Sequence, residues 1–395
     1  MTELLAVTAP KIFDSEVWLE NAALLVQGGR VLATVPVNAI PGAARRIDFS
    51  EDLVPGFVDL QVNGGGGILF NNQPDLDAIR CICMAHAQFG TTALLPTLIT
   101  DTVAVTEAAM AAGIEAATRE IPGFLGLHLE GPHLAVARKG THDPALIRPM
   151  TSTDLDRLIV AREHLPVLLV TVAPESVTTD QVEKLVDAGI IVSVGHSDAD
   201  LARTERVFAA GARQATHLFN AMSQLQSREP GVVGAALAAP HVFAGLIADG
   251  IHVHPTAIRL ALAAKQGPGR IFLVTDAMSQ TGTDITSFSL NGRTIHRANG
   301  ALRLENGTLA GADLDMIDAV RFMHEQVGLP WTECLRMASL YPSRAAGIQR
   351  DHGHLKKGAM ANFIQMSEDK RVVSTWIKGR EVYGGAAAGL ETQVV

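Results

Sequence analysis

Cysteine is scarce in this chain, as are clustered charges and long apolar runs. The 395 residues hold three cysteines, Cys81, Cys83 and Cys334. A low, odd count fits a reducing compartment and argues against a disulfide framework. Cys81 and Cys83 are two apart, and helical neighbours two apart do not share a face. Buried structural thiols are therefore the better reading than a soft-metal pair. Charged residues make up only 18% of the chain against 47% hydrophobic. That balance predicts a sizeable core and argues against long disorder. No basic tract offsets the net charge of −9, so nucleic acid is not an expected partner, and an anionic substrate needs local cations of its own. No uncharged apolar run is long enough for a membrane span. Met1–Leu5 lacks a basic region followed by a long apolar one, so no signal peptide is expected. Together these absences predict a cytoplasmic protein with no membrane partner.

The periodicity that is present changes once near each end. Up to residue 53 the chain reads as short strands and turns: Ala22–Val26, Gly28-Gly29, Val31–Val35, Pro41-Gly42 and Arg46–Phe49. This is hairpin chemistry. From Val54 onward, apolar strand-like runs alternate with helical stretches. There are eight such runs: Gly56–Val62, Thr92–Leu98, Phe124–Glu130, Val167–Ala173, Ile190–His196, Gln214–Asn220, Phe243–Ala248 and Arg270–Thr275. Helical stretches between them include Asp75–Phe89, Val103–Arg119, Thr179–Ala188, Asp200–Ala209 and Pro255–Lys265. Eight such units predict a (β/α)8 TIM-like barrel. A doubly wound sheet would be unusually large, and no G-x-G-x-x-G follows the first run. Gly282–Leu309 reads as a loop-and-hairpin region, then Asp315–Val327 and Trp331–Leu340 as helices. Asn362–Met366, Val372–Ile377 and Glu381–Tyr383 return to short strands. The expected organisation is a small β-sandwich domain from residues 1–53 and 357–395, and a barrel from 54–356.

In a parallel barrel the C-terminal strand ends and their loops converge on one face. The polar groups at those ends are Gln61 and Asn63, Glu130, His196, His217 with Asn220, then Asp249 with His252, and Asp276. Glu130 closes an alternating strand just before a Gly131-Pro132 break. A carboxylate and two imidazoles from strands three, five and six suit a divalent metal with open positions. Asp276 on the last strand would face it as a general base. Taken singly, each histidine is as well read as a hydrogen-bonded structural residue. Glu130 alone could cap a loop, Asp276 alone could hold one, and Arg228 alone reads as a surface arginine.

The ordered set resembles the N-acetylglucosamine-6-phosphate deacetylases of the amidohydrolase superfamily. The residues that carry the resemblance are Pro55–Asp59, Leu95–Thr100, His128–Pro132, Lys139–His142, Gly195–Ser197, Thr216–Met222, Arg228–Gly231, Asp249–Val253 and Thr275–Ala277. It implies Glu130, His196 and His217 as metal ligands. It implies Asp276 as the base and later the acid for the departing amine, and His142 as the group polarising the acetyl carbonyl. Asn220, Ala221, Arg228 and His252 would contact the sugar phosphate. Thr141 and Leu309-Ala310-Gly311 would add mostly backbone contacts. The implied reaction is metal-dependent hydrolysis of N-acetyl-D-glucosamine 6-phosphate to D-glucosamine 6-phosphate and acetate, a step of amino-sugar metabolism. A homodimer is also implied, with Arg228 reaching the neighbouring subunit's site.

Many amidohydrolases hold two metals with an H-x-H on strand one. Here that place reads Gln61-Val62-Asn63, and amides are poor zinc ligands. One divalent metal per subunit is expected, Zn2+ first, with Fe2+, Co2+ or Mn2+ compatible. Two further departures are His133 after L-E-G-P, read as a packing or loop residue, and the acidic turn Ala312-Asp313-Leu314-Asp315. The alternatives are a related amidohydrolase acting on another N-acyl amino sugar or a cyclic amide, and a catalytically dead barrel used as a scaffold.

Overall fold

The computed structural model describes residues 3–385. Eight parallel strands form one sheet in sequential order: β1 (Phe57–Val62), β2 (Thr91–Ile99), β3 (Leu127–Glu130), β4 (Leu168–Val172), β5 (Ile191–Val194), β6 (Gln214–Ala215), β7 (Phe243–Leu246) and β8 (Ile271–Leu273). Every position of β1 to β5 is buried. Burial on both faces keeps β4 and β5 almost wholly apolar, while β1 and β3 alternate apolar residues with the buried polar groups Asp59, Gln61, His128 and Glu130. The sheet closes where β1 meets the end of β8. The Asp276 amide donates to the Gln61 carbonyl at 3.0 Å, and the Asn63 amide donates to the Ala277 carbonyl at 2.8 Å. The architecture is a (β/α)8 barrel.

Most of the intervening helices start on side-chain caps, Gly231–Ala238 after Pro230 being an exception. Asp75 and Thr102 cap Leu76–Ala87 and Val103–Thr118, while Thr151 with Asp154 and Thr178 with Gln181 form capping boxes for Ser152–His164 and Thr179–Asp187. Each cap satisfies an amide left free in the first turn. Several strands stop earlier than their apolar runs suggest. β6 was expected to reach Asn220 but ends at Ala215, because His217, Phe219 and Ala221 take positive φ values of 27, 77 and 48°. A strand cannot continue through such residues, so the chain folds over the barrel mouth there.

Strands from both chain ends build two further sheets. One orders 30–36, 22–27, 4–8 and 45–48; the other orders 380–383, 372–377, 363–366, 52–55, 11–13 and 18–20. Phe363–Met366 pairs antiparallel with Asp52–Pro55, which joins the two ends of the chain. Leu5, Val7, Leu24, Val26, Leu53, Phe363 and Trp376 share one core between the sheets. Together they form the small β-sandwich. A four-stranded meander, Ser287–Leu290, Arg293–Ala298, Ala301–Leu304 and Leu309–Ala312, leans on the barrel mouth through Leu290, Ile295 and Leu302 against Leu69, Ile99 and Met278. No helix among the described residues is long and apolar enough to cross a membrane. The alanine run Ala386–Ala388 lies outside the described residues.

The closing seam contains a buried carboxyl. Asp59 accepts from Thr275 Oγ1 at 2.5 Å, the Thr275 amide at 3.3 Å and the Gln61 amide at 3.2 Å. Burial pushes its pKa from 3.8 to about 7 against those hydrogen bonds. Because the folded pKa exceeds the unfolded one, Asp59 contributes stability below about pH 4 that is lost as pH rises through about 7. A shift of about three units corresponds to about 4 kcal/mol at its full extent. Asp59→Asn cannot ionise. The thermal midpoint of that variant, relative to wild type, should therefore rise by several degrees between pH 5 and pH 8. Parallel curves over that range would refute the assignment.

Candidate active site

Three side chains meet at the C-terminal mouth of the barrel. Glu130 ends β3, His196 follows β5 and His217 follows β6. Glu130 Oε1 lies 3.0 Å from His217 Nε2 and 3.2 Å from His196 Nε2, and the two Nε2 atoms are 3.1 Å apart. Ligands on one tetrahedral Zn2+ with bonds of about 2.0–2.1 Å stand about 3.3 Å apart, so this triangle fits a small cation. His196 Nδ1 faces the Arg138 carbonyl at 2.8 Å. That contact fixes the tautomer and frees the Nε2 lone pair for a metal. Glu130, His142 and His196 also offer atoms within 4.8 Å of one another. However, His142 Nε2 is 3.9 Å from Glu130 Oε2, wider than the spacing of about 3.3 Å expected of a tetrahedral pair. His217 completes the tighter set.

The charges in the triangle are interdependent. Burial pushes the Glu130 carboxyl up, but hydrogen bonds from His196 and His217 outweigh it and hold its pKa well below 4.5. Burial lowers His217, and its hydrogen bond to Glu130 more than reverses this, so its pKa is raised. Without a cation, then, the cluster attracts protons onto imidazole. His196, His217 and Asp276 all adopt left-handed φ, at 48, 27 and 50°. Such backbone conformations are costly for residues with a Cβ, and they gather at sites where side-chain direction matters more than local comfort. Gly131 takes φ 92°, and a Cβ there would stand 2.2 Å from Thr100 Oγ1. Only glycine permits that close turn directly after Glu130.

Asp276 and His142 line the same cavity as the triangle, with the His142 ring centroid 4.4 Å from that of His196. Burial, then the Glu130 charge, raise the Asp276 pKa from 3.8 to about 6. His142 Nδ1 accepts from the Thr100 amide at 3.3 Å and lies 2.8 Å from Thr100 Oγ1. With Nδ1 as acceptor, Nε2 carries the proton. Burial, reinforced by His196, holds the His142 pKa well below 6.5, so the ring faces the cavity as a neutral N–H donor.

The cavity has a volume of about 510 Å³. Of the residues expected from sequence to contact substrate, Thr141, Asn220, Ala221, His252, Leu309 and Gly311 line it. Ala310 does not; it is buried in the meander core. Arg228 is exposed and does not line the cavity of its own chain. His252 Nδ1 lies 2.6 Å from Asp249 Oδ2, which leaves Nε2 for a ligand. Sequence reasoning missed two arginines in the wall, Arg138 and Arg303. Arg138 is paired with Asp198 at 2.7 Å. Arg303 reaches only the Gly307 carbonyl, at 3.0 Å, and has no carboxylate partner among the described residues.

His133, His128 and the two aspartates of the acidic turn, Asp313 and Asp315, lie outside the cavity lining. His133 turns into the loop, with Nδ1 3.1 Å from the Arg148 carbonyl. His128 sits inside the barrel between Thr97 and Thr171, one layer below Glu130. Asp313 pairs with Arg297, and Asp315 caps the helix Met316–Phe322. The acidic turn therefore adds no carboxylate to the cavity wall.

Comparison with known proteins agrees with this geometry. The amidohydrolase family model matches residues 53–382. An N-acetylgalactosamine-6-phosphate deacetylase of Shewanella sp. (strain ANA-3) is 45% identical, covering 85% of this chain and 84% of its own. An N-acetylglucosamine-6-phosphate deacetylase of Haemophilus influenzae is 35% identical, covering 92% and 95%. Among solved structures, the N-acetylglucosamine-6-phosphate deacetylase of Pasteurella multocida superposes with a TM-score of 0.91 at 35% identity, covering 96% of this chain and 99% of that one. A barrel with these strand-end residues, matched over most of its length, belongs to the amidohydrolase family.

Proposed function

We propose that the protein hydrolyses the acetamide of N-acetyl-D-glucosamine 6-phosphate, releasing D-glucosamine 6-phosphate and acetate. The observation that carries this is the Glu130–His196–His217 triangle with Asp276 and His142 on the same cavity. Glu130, His196 and His217 would hold one divalent cation per subunit. Two imidazole nitrogens and a carboxylate oxygen suit Zn2+ and also Fe2+, Co2+ or Mn2+. When bound, that ion supplies Lewis-acid polarisation of water and of the acyl carbonyl. The chain's own groups do the rest. Asp276 takes the proton of the attacking water and later delivers it to the departing nitrogen. His142 donates its Nε2–H toward the acyl oxygen as negative charge develops there. Asn220, Ala221 and His252 bind the sugar phosphate, with Thr141 and the 309–311 turn alongside.

Arg228 is read as a phosphate ligand for the neighbouring subunit of a homodimer. Its exposure and its lack of an ion-pair partner among the described residues support that reading. Arg303 would supply positive charge from the chain's own wall. We place the protein in the cytoplasm, where phosphorylated amino sugars are handled. We also divide the chain into 1–53 with 357–395 as the sandwich and 54–356 as the barrel. A second reading is the galacto epimer of the substrate, favoured by the 45% identity to the Shewanella protein.

The test is acetate release by purified protein of known metal content. It should be run on the gluco and galacto 6-phosphates and on both unphosphorylated sugars. The 6-phosphates are expected to be turned over far more efficiently. Arg228→Ala should raise KM for them by about 10- to 100-fold, the loss of one or two charge-assisted hydrogen bonds. Arg303→Ala should raise it less. Equal kcat/KM with and without phosphate would reject the sugar-phosphate reading.

A further inference from the structure

Beside the triangle, β1 ends in two amides, Gln61 and Asn63, that reach the carboxylates of the site. Asn63 Nδ2 donates to Asp276 Oδ1 at 2.7 Å. Gln61 Nε2 donates to the same oxygen at 3.2 Å and to Glu130 Oε1 at 3.2 Å. Asn63 and Gln61 are each 2% exposed. We propose that Asn63, with Gln61 beside it, is a positioning residue for Asp276: the amides fix one carboxylate oxygen so that the other faces the cavity.

Three observations carry this. First, both donors converge on Oδ1, and Oδ2 has no hydrogen bond among the described residues, so the carboxylate has one tethered and one free oxygen. Second, the amide orientations are forced. Gln61 Nε2 stands between two carboxylate oxygens, where an amide oxygen would be repelled. Turning the Asn63 N–H2 end to Asp276 leaves its Oδ1 buried without a partner among the described residues. A buried acceptor left unpaired costs about 1–3 kcal/mol. A structure that tolerates this cost gains something from the other end of the amide. Third, the backbones are tied together at the barrel seam. The Asp276 amide donates to the Gln61 carbonyl, and the Asn63 amide to the Ala277 carbonyl. Donors and carboxylate therefore share one rigid frame.

The physical need is clear. Asp276 and Glu130 are both buried acids at one mouth, and their like charges favour moving Asp276 away from the reacting atoms. An amide is a poor metal ligand but a good donor, so these side chains restrain the base without taking a cation themselves. This inference rests on the assignment of Asp276 as base.

The test uses Asn63→Ala and the size-preserving Asn63→Leu in the metal-loaded protein. In both, kcat should fall by about 10- to 100-fold, the usual cost of a misplaced catalytic group. KM should stay within about threefold, with metal content and thermal midpoint unchanged. Adding Asn63→Ala to Asp276→Asn should change kcat by less than about threefold, because a positioning residue has little left to act on once the base is gone. The crystal structure of Asn63→Ala should show the Asp276 carboxylate rotated from its present direction. That readout does not depend on which substrate is used, so it separates a failure here from a failure of the proposed reaction. Full kcat in the single variants, an equal loss in the Asp276→Asn background, loss of metal, or an unmoved carboxylate would each overturn the inference.

Discussion

Asp276→Asn is expected to bind metal as the wild type does and to lose about 10³-fold in kcat, within the range that general acid–base catalysis contributes. The substitution keeps size and shape, so the barrel seam should survive. The two β1 amides make the loss more certain. Both donate to Oδ1, and an asparagine carboxamide must answer them with its oxygen. Its N–H2 end then faces the cavity, a donor where the reaction needs a proton acceptor. The same group sets a pH dependence. Burial and Glu130 raise the Asp276 pKa to about 6, and only the ionised form can take a proton. Turnover should therefore rise as pH climbs through about 6, with a bound cation moving that limb to lower pH. Stopped assays across pH 5–8, with metal measured on each sample, check both statements. A variant within tenfold of wild-type kcat would show that another group is the base.

The barrel was legible in the sequence because burial on both sheet faces gives eight apolar-rich strand-like runs, broken only by a few buried polar residues such as Asp59 and Glu130. Helical stretches between them carry caps such as Asp75 and Thr102 at their starts. Strand ends were less legible. Apolar character continues through Leu218 and Phe219, yet the strand stops at Ala215 because His217 has already turned to the left-handed region. Hydropathy reports burial, and a buried loop over a barrel mouth is as apolar as a strand. The meeting of Glu130, His196 and His217 was readable because all three lie at the same end of strand-like runs, the third, fifth and sixth. The restraint on Asp276 was not, since Asn63 and Asp276 lie 213 positions apart and an amide at a strand end does not by itself name its partner. Arg303 was hidden for a related reason. The meander that carries it reaches the cavity through contacts of Leu290, Ile295 and Leu302 with Leu69, Ile99 and Met278, and no local pattern announces that approach. His133 attracted attention by its place beside Glu130. The turn at Gly131 points it to the Arg148 carbonyl instead.

Removing one corner of the triangle should abolish activity by a different route from losing the base. His217→Ala leaves a carboxylate and one imidazole, a weak site for any divalent ion, and the expected result is metal-depleted protein with turnover down by at least about 10³-fold. Several kcal/mol of transition-state stabilisation depend on the ion, and each 1.4 kcal/mol is about tenfold. Chelation of wild type should produce the same loss, reversed by restoring the metal, whereas His217→Ala should not recover at the same concentration. Stability should follow occupancy. A ligand at about a thousand times its Kd adds about 4 kcal/mol to a folded state it alone binds. Chelated wild type should therefore melt lower than the loaded protein, and the variant should show no such difference. Removing the ion also leaves Glu130 with the Gln61 amide and a proton on His217, whose pKa its hydrogen bond to Glu130 raises. The stability lost on chelation should thus grow as pH rises and His217 gives up that proton. Unchanged acetate release from protein shown to be free of metal would remove the triangle from the chemistry altogether.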